Sequence, residues 1–284
     1  MDKTFRIGEF AFRLHWPDSL RIPEHFLKFA WDGKADYTYD LEIADALPVY
    51  AGRLLASRED LTVMSAENGE IRYIGVKGNP EPYGCYREVS SCAAQVTLLT
   101  SSAARDISDP GFVSLLALEK QMLERSALVL HTAFVVYRGQ AVLFSAPSGT
   151  GKSTQADLWE KYRGSRTING DRCLLRKKDG IWMAEGWPVC GSSNICDTGI
   201  WPVRAVVMLS QAPENRVERM TPAAAFSQVF SQITVNRWDK RAALHAMDLI
   251  EALTETVPFY HLACDISEQA VACLEQAFEE DGYA

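Results

Sequence analysis

The stretch A141-V-L-F-S-A-P-S-G-T-G-K-S-T-Q-A-D-L-W159 decides how the rest of the chain is read. An apolar run, Ala141–Ser145, has the composition of a strand. A Gly-rich turn follows, then Lys152, then the hydroxyls of Ser153 and Thr154, then a helical pattern. Ala146 to Ser153 matches the phosphate-binding loop of the Walker A type, G-x-x-x-x-G-K-[ST], except that Ala146 stands at its first position. Each remaining element has a physical task. Gly149 and Gly151 allow the backbone to turn its N–H groups toward one anion. The helix that follows adds the partial positive charge of its N-terminus. Lys152 has the length to reach β- and γ-phosphates, and the Ser153 hydroxyl offers an oxygen ligand to Mg²⁺. The residues expected to bind nucleotide are therefore Ser148, Gly149, Thr150, Gly151, Lys152, Ser153 and Thr154, with ATP and Mg²⁺ as the expected cofactors.

Working outward, "ALVLHTAFVVYRGQAVLFSA" (127–146) places two apolar runs around Arg138-Gly139, which reads as a β-hairpin leading into the loop. The strand before the loop is then an antiparallel neighbour, unlike the parallel βαβ approach of many nucleotide-binding sheets. Beyond the loop, "STQADLWEKY" reads as a helix. Short strands follow through "RTINGDRCLLRKKDGIWMAEGWPV", with a turn at Lys178-Asp179-Gly180. "VRAVVML" and "PFYHLAC" read as strands. "AAAFSQVFSQI", "DKRAALHAMDLIEALTET" and "SEQAVACLEQAFEE" read as helices. The first hundred residues carry alternating strand patterns, including "FRIGEFAFRLHW" broken at Gly8-Glu9 and a hairpin signal at Asn68-Gly69. "DPGFVSLLALEKQMLERSA" (109–127) switches to a helical period behind Pro110. That switch predicts a boundary between a β-rich part, residues 1–105, and a core, residues 106–284.

The bulk composition excludes several classes. The 284 residues carry a formal net charge of −8, which argues against a nucleic-acid or anionic-membrane surface. Seven cysteines without a C-x-x-C pair support neither a disulfide framework nor a zinc site. No apolar run approaches the roughly 20 residues that span a bilayer, and "MDKTFRIGEF" lacks the apolar core of a signal peptide, so the expected location is cytoplasmic.

"LHTAFVVYRGQAVLFSAPSGTGKST", "INGDRCLL", "GWPVCGSSNIC" and "VRAVVMLSQAPENRVERM" together resemble the HPr kinase/phosphorylase-like kinases over about residues 110–280. These share a class of P-loop fold with phosphoenolpyruvate carboxykinases. The chain looks nearest to the HPr-kinase-related branch that includes lasso-peptide kinases. The resemblance implies an α/β fold: a mixed-sheet P-loop kinase core of the HPr kinase/phosphoenolpyruvate carboxykinase type with a β-rich N-terminal part. It implies an ATP- and Mg²⁺-dependent transfer of a phosphoryl group to a hydroxyl, a serine on a peptide or protein. It places His131 near the phosphates and Asp171 in the acidic position that binds metal or takes the acceptor's proton. The catalytic set is thus Asp171, Lys152 and His131, and the metal set Ser153 and Asp171. The residues alone also allow His131 as a strand histidine and Asp171 as a turn residue.

The family carries two adjacent aspartates where this chain has Gly170-Asp171. One carboxylate role is therefore unassigned, with Glu185 a second candidate. Arg204, Arg216 and Arg237 are candidates for steadying the transferring phosphoryl group. Residues 1–105 are expected to recognise the acceptor, to mediate a homo-oligomer contact, or to extend the core sheet. Two rival functions stand beside the kinase: a nucleotide-binding sensor or assembly module with little transfer, and a small-molecule kinase.

Overall fold

A computed structural model describes residues 1–105 and 107–282. The chain forms two compact units. The first is Met1–Arg125 with Asn236–Lys240; the second is Ser126–Val235 with the residues from Arg241 onward.

The first unit is built on an eight-stranded sheet. In chain order its elements are β1 (Asp2–Ile7), β2 (Phe10–His15), α1 (Glu24–Leu27), β3 (Tyr37–Ala44), β4 (Arg53–Arg58), β5 (Leu61–Ala66), β6 (Gly69–Val76), β7 (Asn79–Ser90), β8 (Ala93–Leu99), α2 (Thr100–Ala103), α3 (Asp109–Leu115) and α4 (Leu118–Glu124). The strand order is β1-β2-β3-β8-β7-β6-β5-β4. β3 runs parallel to both β2 and β8, and the remaining pairs are antiparallel. The alternation in "FRIGEFAFRLHW" is what forms β1 and β2: Phe5, Ile7, Phe10, Phe12 and Leu14 are all buried. Gly8 takes φ 60° in the turn between them.

The helical pattern after Ser108 departs from expectation. Ser108 caps α3, its Oγ accepting from the Gly111 amide, but the helix stops at Leu115 and α4 starts anew at Leu118. Ala117 lies between them at φ 49°. Leu115, Leu116, Ala117 and Leu118 are all fully buried. Four consecutive buried residues cannot share one face of a straight helix, and the left-handed break, costing about 1–2 kcal/mol, lets both sides bury.

The boundary also differs from the expected 105/106; Asp106 itself lies outside the described residues. α3 and α4 belong with the first sheet. Phe112 stacks edge-on against Phe26, Tyr39 donates to the Leu116 carbonyl, and Tyr83 donates to the Gly111 carbonyl. The units therefore part at Arg125/Ser126. Nor do the N-terminal strands extend the core sheet, because residues 127–264 form a sheet of their own.

The second unit contains β9 (Ala127–His131), β10 (Ala133–Tyr137), β11 (Gln140–Ser145), α5 (Lys152–Arg163), β12 (Arg166–Asn169), β13 (Arg172–Lys178), β14 (Ile181–Glu185), β15 (Ile200–Gln211), β16 (Arg216–Arg219), α6 (Pro222–Val229), α7 (Lys240–Thr256, whose first residue belongs to the first unit), β17 (Phe259–Cys264) and α8 (Glu268–Glu280). The sheet is mixed, in the order β12-β10-β11-β15-β14-β13-β9, with β17 also on β15 and β16 on β17. β10 and β11 form the expected antiparallel hairpin, with Arg138 and Gly139 at φ 49° and 76° in its turn. β11, β15 and β17 are parallel neighbours. α5 and α8 cover this part of the sheet, and Trp159, fully buried, packs against Tyr137, Phe144 and Phe278. Trp182 and Trp187 are buried too. No described helix is long and apolar enough to cross a membrane.

Candidate active site

β11 ends at Ser145 and the chain turns at once into the loop 146–151. Gly149 and Gly151 sit at φ 81° and 115°, a region that side chains avoid. Neither faces a neighbour within 4 Å at its missing Cβ, so the glycines serve the backbone turn and leave the concavity open. Gly151 is the N-cap of α5, and no side chain caps that helix. The first-turn amides thus retain the donor capacity that suits an anion. Thr150 Oγ1 donates to the Pro147 carbonyl at 2.9 Å, and Gln211 Nε2 donates to the carbonyls of Gly149 (3.4 Å) and Thr150 (3.3 Å). The first bond lies within the loop, and the Gln211 bonds tie the loop to the end of β15. Ser148, Ser153 and Thr154 are exposed.

Lys152 is buried, with 7% of its surface exposed, and folds back over its own loop. Its Nζ donates to the carbonyls of Ala146 at 3.0 Å and Pro147 at 3.3 Å. Burial pushes its pKa below the ordinary lysine value, opposed by the negative charge of Asp171.

Asp171 lies in the tight turn from β12 to β13. Asn169, fully buried, sets that turn: its Oδ1 accepts from the amides of both Asp171 and Arg172 at 2.9 Å. Its Nδ2 donates to the Trp187 carbonyl at 2.7 Å. This is an Asx turn whose side chain is spent on both sides. His131 stands opposite Arg172 in the β9–β13 register, and its Nε2 lies 3.3 Å from Asp171 Oδ1. The His131 carbonyl accepts from Ser145 Oγ at 2.7 Å, linking it to the last residue of β11. On the other side Arg172 Nε donates to Asp171 Oδ2 at 3.1 Å. Burial alone would raise the Asp171 pKa; the His131 contact and the Arg172 charge outweigh it and hold the carboxyl below its ordinary value. Asp171 is therefore a carboxylate at neutral pH, able to ligate a cation or accept a proton.

The loop after Val189 closes over this turn. Gly191, at φ 59°, approaches so closely that a Cβ there would lie 3.1 Å from the Cβ of Asp171. Ser193 occupies the space beside Gly170: a Cβ on Gly170 would fall 2.1 Å from Ser193 Oγ and 2.4 Å from its Cβ. Ser193 Oγ is itself fixed, donating to the Cys190 carbonyl at 2.7 Å. No side chain fits at 170 while Ser193 is in place.

The sequence model of the family described as SynChlorMet cassette protein ScmC matches residues 112–279, more than half of the chain. The chain belongs to this ScmC family. Among solved structures, it is similar to the Hpr(Ser) kinase/phosphatase from Coxiella burnetii. The likeness covers 55% of this chain and 93% of that one, at 12% sequence identity and a TM-score of 0.32. A TM-score of that size is too low to establish a shared fold. Comparison with curated protein sequences finds no match.

Several residues singled out in the sequence of this ScmC-family chain stand in other structural roles. Glu185 is bound by the Nε of Arg176 at 2.5 Å. Arg204 is buried, with its guanidinium over the Phe278 ring and a bond to Gln140. Arg216 pairs with Glu218 on the exposed β16. Arg237 belongs to the segment that joins the first unit. Cys190 and Cys196 are both buried.

Sequence reading missed a cleft of about 510 Å³ beside the loop. Thr150, Gly151, Thr154 and Gln155 form one side; the ends of β15 (Leu209, Gln211, Ala212, Pro213) and β17 (Cys264, Asp265, Ile266) form the other. It also missed Asn169, although Asn169-Gly170 is a recognisable turn dipeptide. The cleft residues at the ends of β15 and β17 carry no sequence signal, because only the parallel pairing of β11, β15 and β17 brings them beside the loop.

Proposed function

We propose that the chain is an ATP- and Mg²⁺-dependent phosphotransferase that moves a phosphoryl group to a hydroxyl, a serine on a peptide or protein. One arrangement carries this reading: the Asp171 carboxylate is held by His131 and Arg172, and the His131 carbonyl is bonded to Ser145, the last residue of the strand that enters the phosphate loop. The sequence resemblance to HPr kinase-like proteins supports it.

The residues fit both groups. The open loop and uncapped α5 suit phosphates. The exposed Ser153 hydroxyl and the Asp171 carboxylate are the hard oxygen donors that Mg²⁺ prefers. When bound, Mg²⁺ supplies neutralisation of phosphate charge. In this reading Ser148–Thr154 hold the nucleotide's phosphates. Lys152 exchanges its two loop carbonyls for phosphate oxygens, and the added negative charge restores its ordinary basicity. Asp171 accepts the proton of the attacking hydroxyl, and His131 orients it. Such transfer depends chiefly on position and charge, so one carboxylate held by Asn169, His131 and Arg172 is sufficient machinery. The first unit recognises the acceptor.

A second reading, a nucleotide sensor without transfer, is favoured by one observation: Ser193 excludes a second carboxylate at 170. The test is incubation of the full chain with γ-labelled ATP and Mg²⁺, alone and with serine-containing candidate peptides or cell extract. Label on an acceptor, lost in Asp171→Asn, supports the kinase. Stabilisation by Mg·ATP without label transfer to any acceptor supports the sensor.

A further inference from the structure

A hollow of about 390 Å³ in the first unit joins two stretches that are far apart in sequence. One wall is Ser19, Leu20 and Arg21, from the segment between β2 and α1. The other is Ala103, Ala104 and Arg105, at the end of α2. The backbone of each wall is tied down. The Leu20 amide donates to the Pro17 carbonyl at 3.0 Å, and the amides of Ala104 and Arg105 donate to the carbonyls of Thr100 and Ser102 at 3.0 and 3.2 Å. Leu20 and Ile22 are buried, while Arg21 between them is exposed and lines the hollow.

The charge of this hollow runs against that of the chain. The chain carries a net charge of −8, yet two guanidinium groups line the hollow and no carboxylate of the described residues does. Among the described residues neither Arg21 nor Arg105 has a hydrogen-bond or ion-pair partner. Elsewhere in the same unit Arg58 and Arg72 are paired, with Asp60 and with Glu70 and Glu119. Two like charges brought to one hollow repel, and an anion between them relieves the repulsion while giving each planar fork its oxygens. The volume falls in the range of pockets that enclose small organic groups, about 300–1,000 Å³. It exceeds what a lone carboxylate or phosphate fills, and Ala103 and Ala104 add little bulk to the wall. The space suits a segment of chain that carries the anion.

We propose that this hollow binds an acidic side chain of the peptide acceptor, with Arg21 and Arg105 holding its carboxylate. The proposal rests on the reading that the first unit recognises the acceptor, and it names what is recognised: a carboxylate-bearing segment, distinct from the serine that reacts. Both arginines are exposed, so the binding is modest and weakens as salt is added.

The experiment is fluorescence anisotropy of a labelled hexaglutamate peptide and its hexaglutamine counterpart, titrated with the full chain at low and at high salt, without nucleotide. The parent is expected to bind the glutamate peptide about tenfold or more tighter than the glutamine peptide, with the preference shrinking at high salt. Arg21→Gln combined with Arg105→Gln is expected to weaken glutamate-peptide binding by about tenfold. Lys34→Gln combined with Lys77→Gln removes the same charge from exposed positions of the same unit and should weaken it by less than about threefold. Equal binding of the two peptides by the parent overturns the proposal. Equal weakening in the two double variants also overturns it, since overall charge is then the cause. Inorganic phosphate that displaces the glutamate peptide at equal concentration overturns the peptide as occupant and leaves a small-anion site. Because no nucleotide is present, the two readings fail separately: absent label transfer leaves an arginine-dependent peptide site standing, and absent peptide binding leaves the kinase reading standing.

Discussion

Gly170→Ala tests whether Ser193 is what keeps the second carboxylate out of this site. Gly170 does not occupy the left-handed region, so the backbone accepts alanine there. In isolation the change would stabilise by about 0.4–1 kcal/mol, because alanine has fewer unfolded conformations to lose. Against that stands the overlap: the new Cβ falls 2.1 Å from Ser193 Oγ and 2.4 Å from Ser193 Cβ. Ser193 cannot simply turn away, since its Oγ bonds the Cys190 carbonyl at 2.7 Å and accepts from the Ile195 amide at 3.2 Å. Overpacking of this kind costs about 1–3 kcal/mol. The net expectation is a destabilisation of about 1–2 kcal/mol in the parent. In a Ser193→Gly background the overlap vanishes, and the same substitution becomes neutral or stabilising. The coupling between the two positions is then at least about 1 kcal/mol. Urea unfolding of the four proteins, followed by the fluorescence of the buried Trp159 and Trp187, measures it. A coupling below about 0.5 kcal/mol would refute the steric account, leaving the single aspartate without a structural reason. A positive result carries a design consequence: Gly170→Asp alone should misfold the loop, whereas Gly170→Asp with Ser193→Gly can present both carboxylates.

Lys152→Ala should abolish the rise in melting temperature given by Mg·ATP. It should also cost the free protein about 1 kcal/mol, because the amine is buried and bonds two carbonyls rather than standing on the surface. Asp171→Asn should retain Mg·ATP binding in calorimetry and lower transfer to the acceptor by about a hundredfold or more. Because the Asp171 pKa is lowered in the fold, its contribution to stability is complete above the ordinary carboxyl range and is lost as pH falls through the folded value. Acid unfolding curves of the parent and Asp171→Asn should therefore converge as pH falls through the folded value, and a gap that does not narrow on acidification would contradict the ion-pair account. Trp159→Ala should cost about 3–5 kcal/mol in urea unfolding, as the ring is fully buried among Tyr137, Phe144 and Phe278.

What was legible in the sequence was local. The turns at Gly8, Arg138-Gly139 and Asp179-Gly180 follow from residues that adopt positive φ, and the strands on either side follow from alternation. The phosphate loop was legible because its chemistry is contiguous: glycines, lysine and hydroxyls act through neighbouring backbone. The break at Ala117 was hidden, because four apolar residues in a row fit a helical pattern until one asks which face each must bury. The burial of Lys152 was hidden for a related reason. A lysine after glycines reads as exposed, yet the loop folds its carbonyls inward and the amine follows them.

The part of the site that sequence reading could not assemble is the part made by pairing distant strands. Asp171 stood out as the acidic residue of "NGDR", but its partners are 40 residues upstream at His131 and some 20 downstream in the loop around Gly191. β9, pairing with β13, delivers His131; β12, pairing with β10, delivers Asn169; the loop from Cys190 returns to the end of β12. Each element alone has a bland explanation as strand or turn. Together they hold one carboxylate by its backbone, through Asn169, and by both oxygens, through His131 and Arg172. A mere turn aspartate needs none of that support. The convergence of three separate elements on Asp171 is a stronger argument for chemistry at this residue than its identity was.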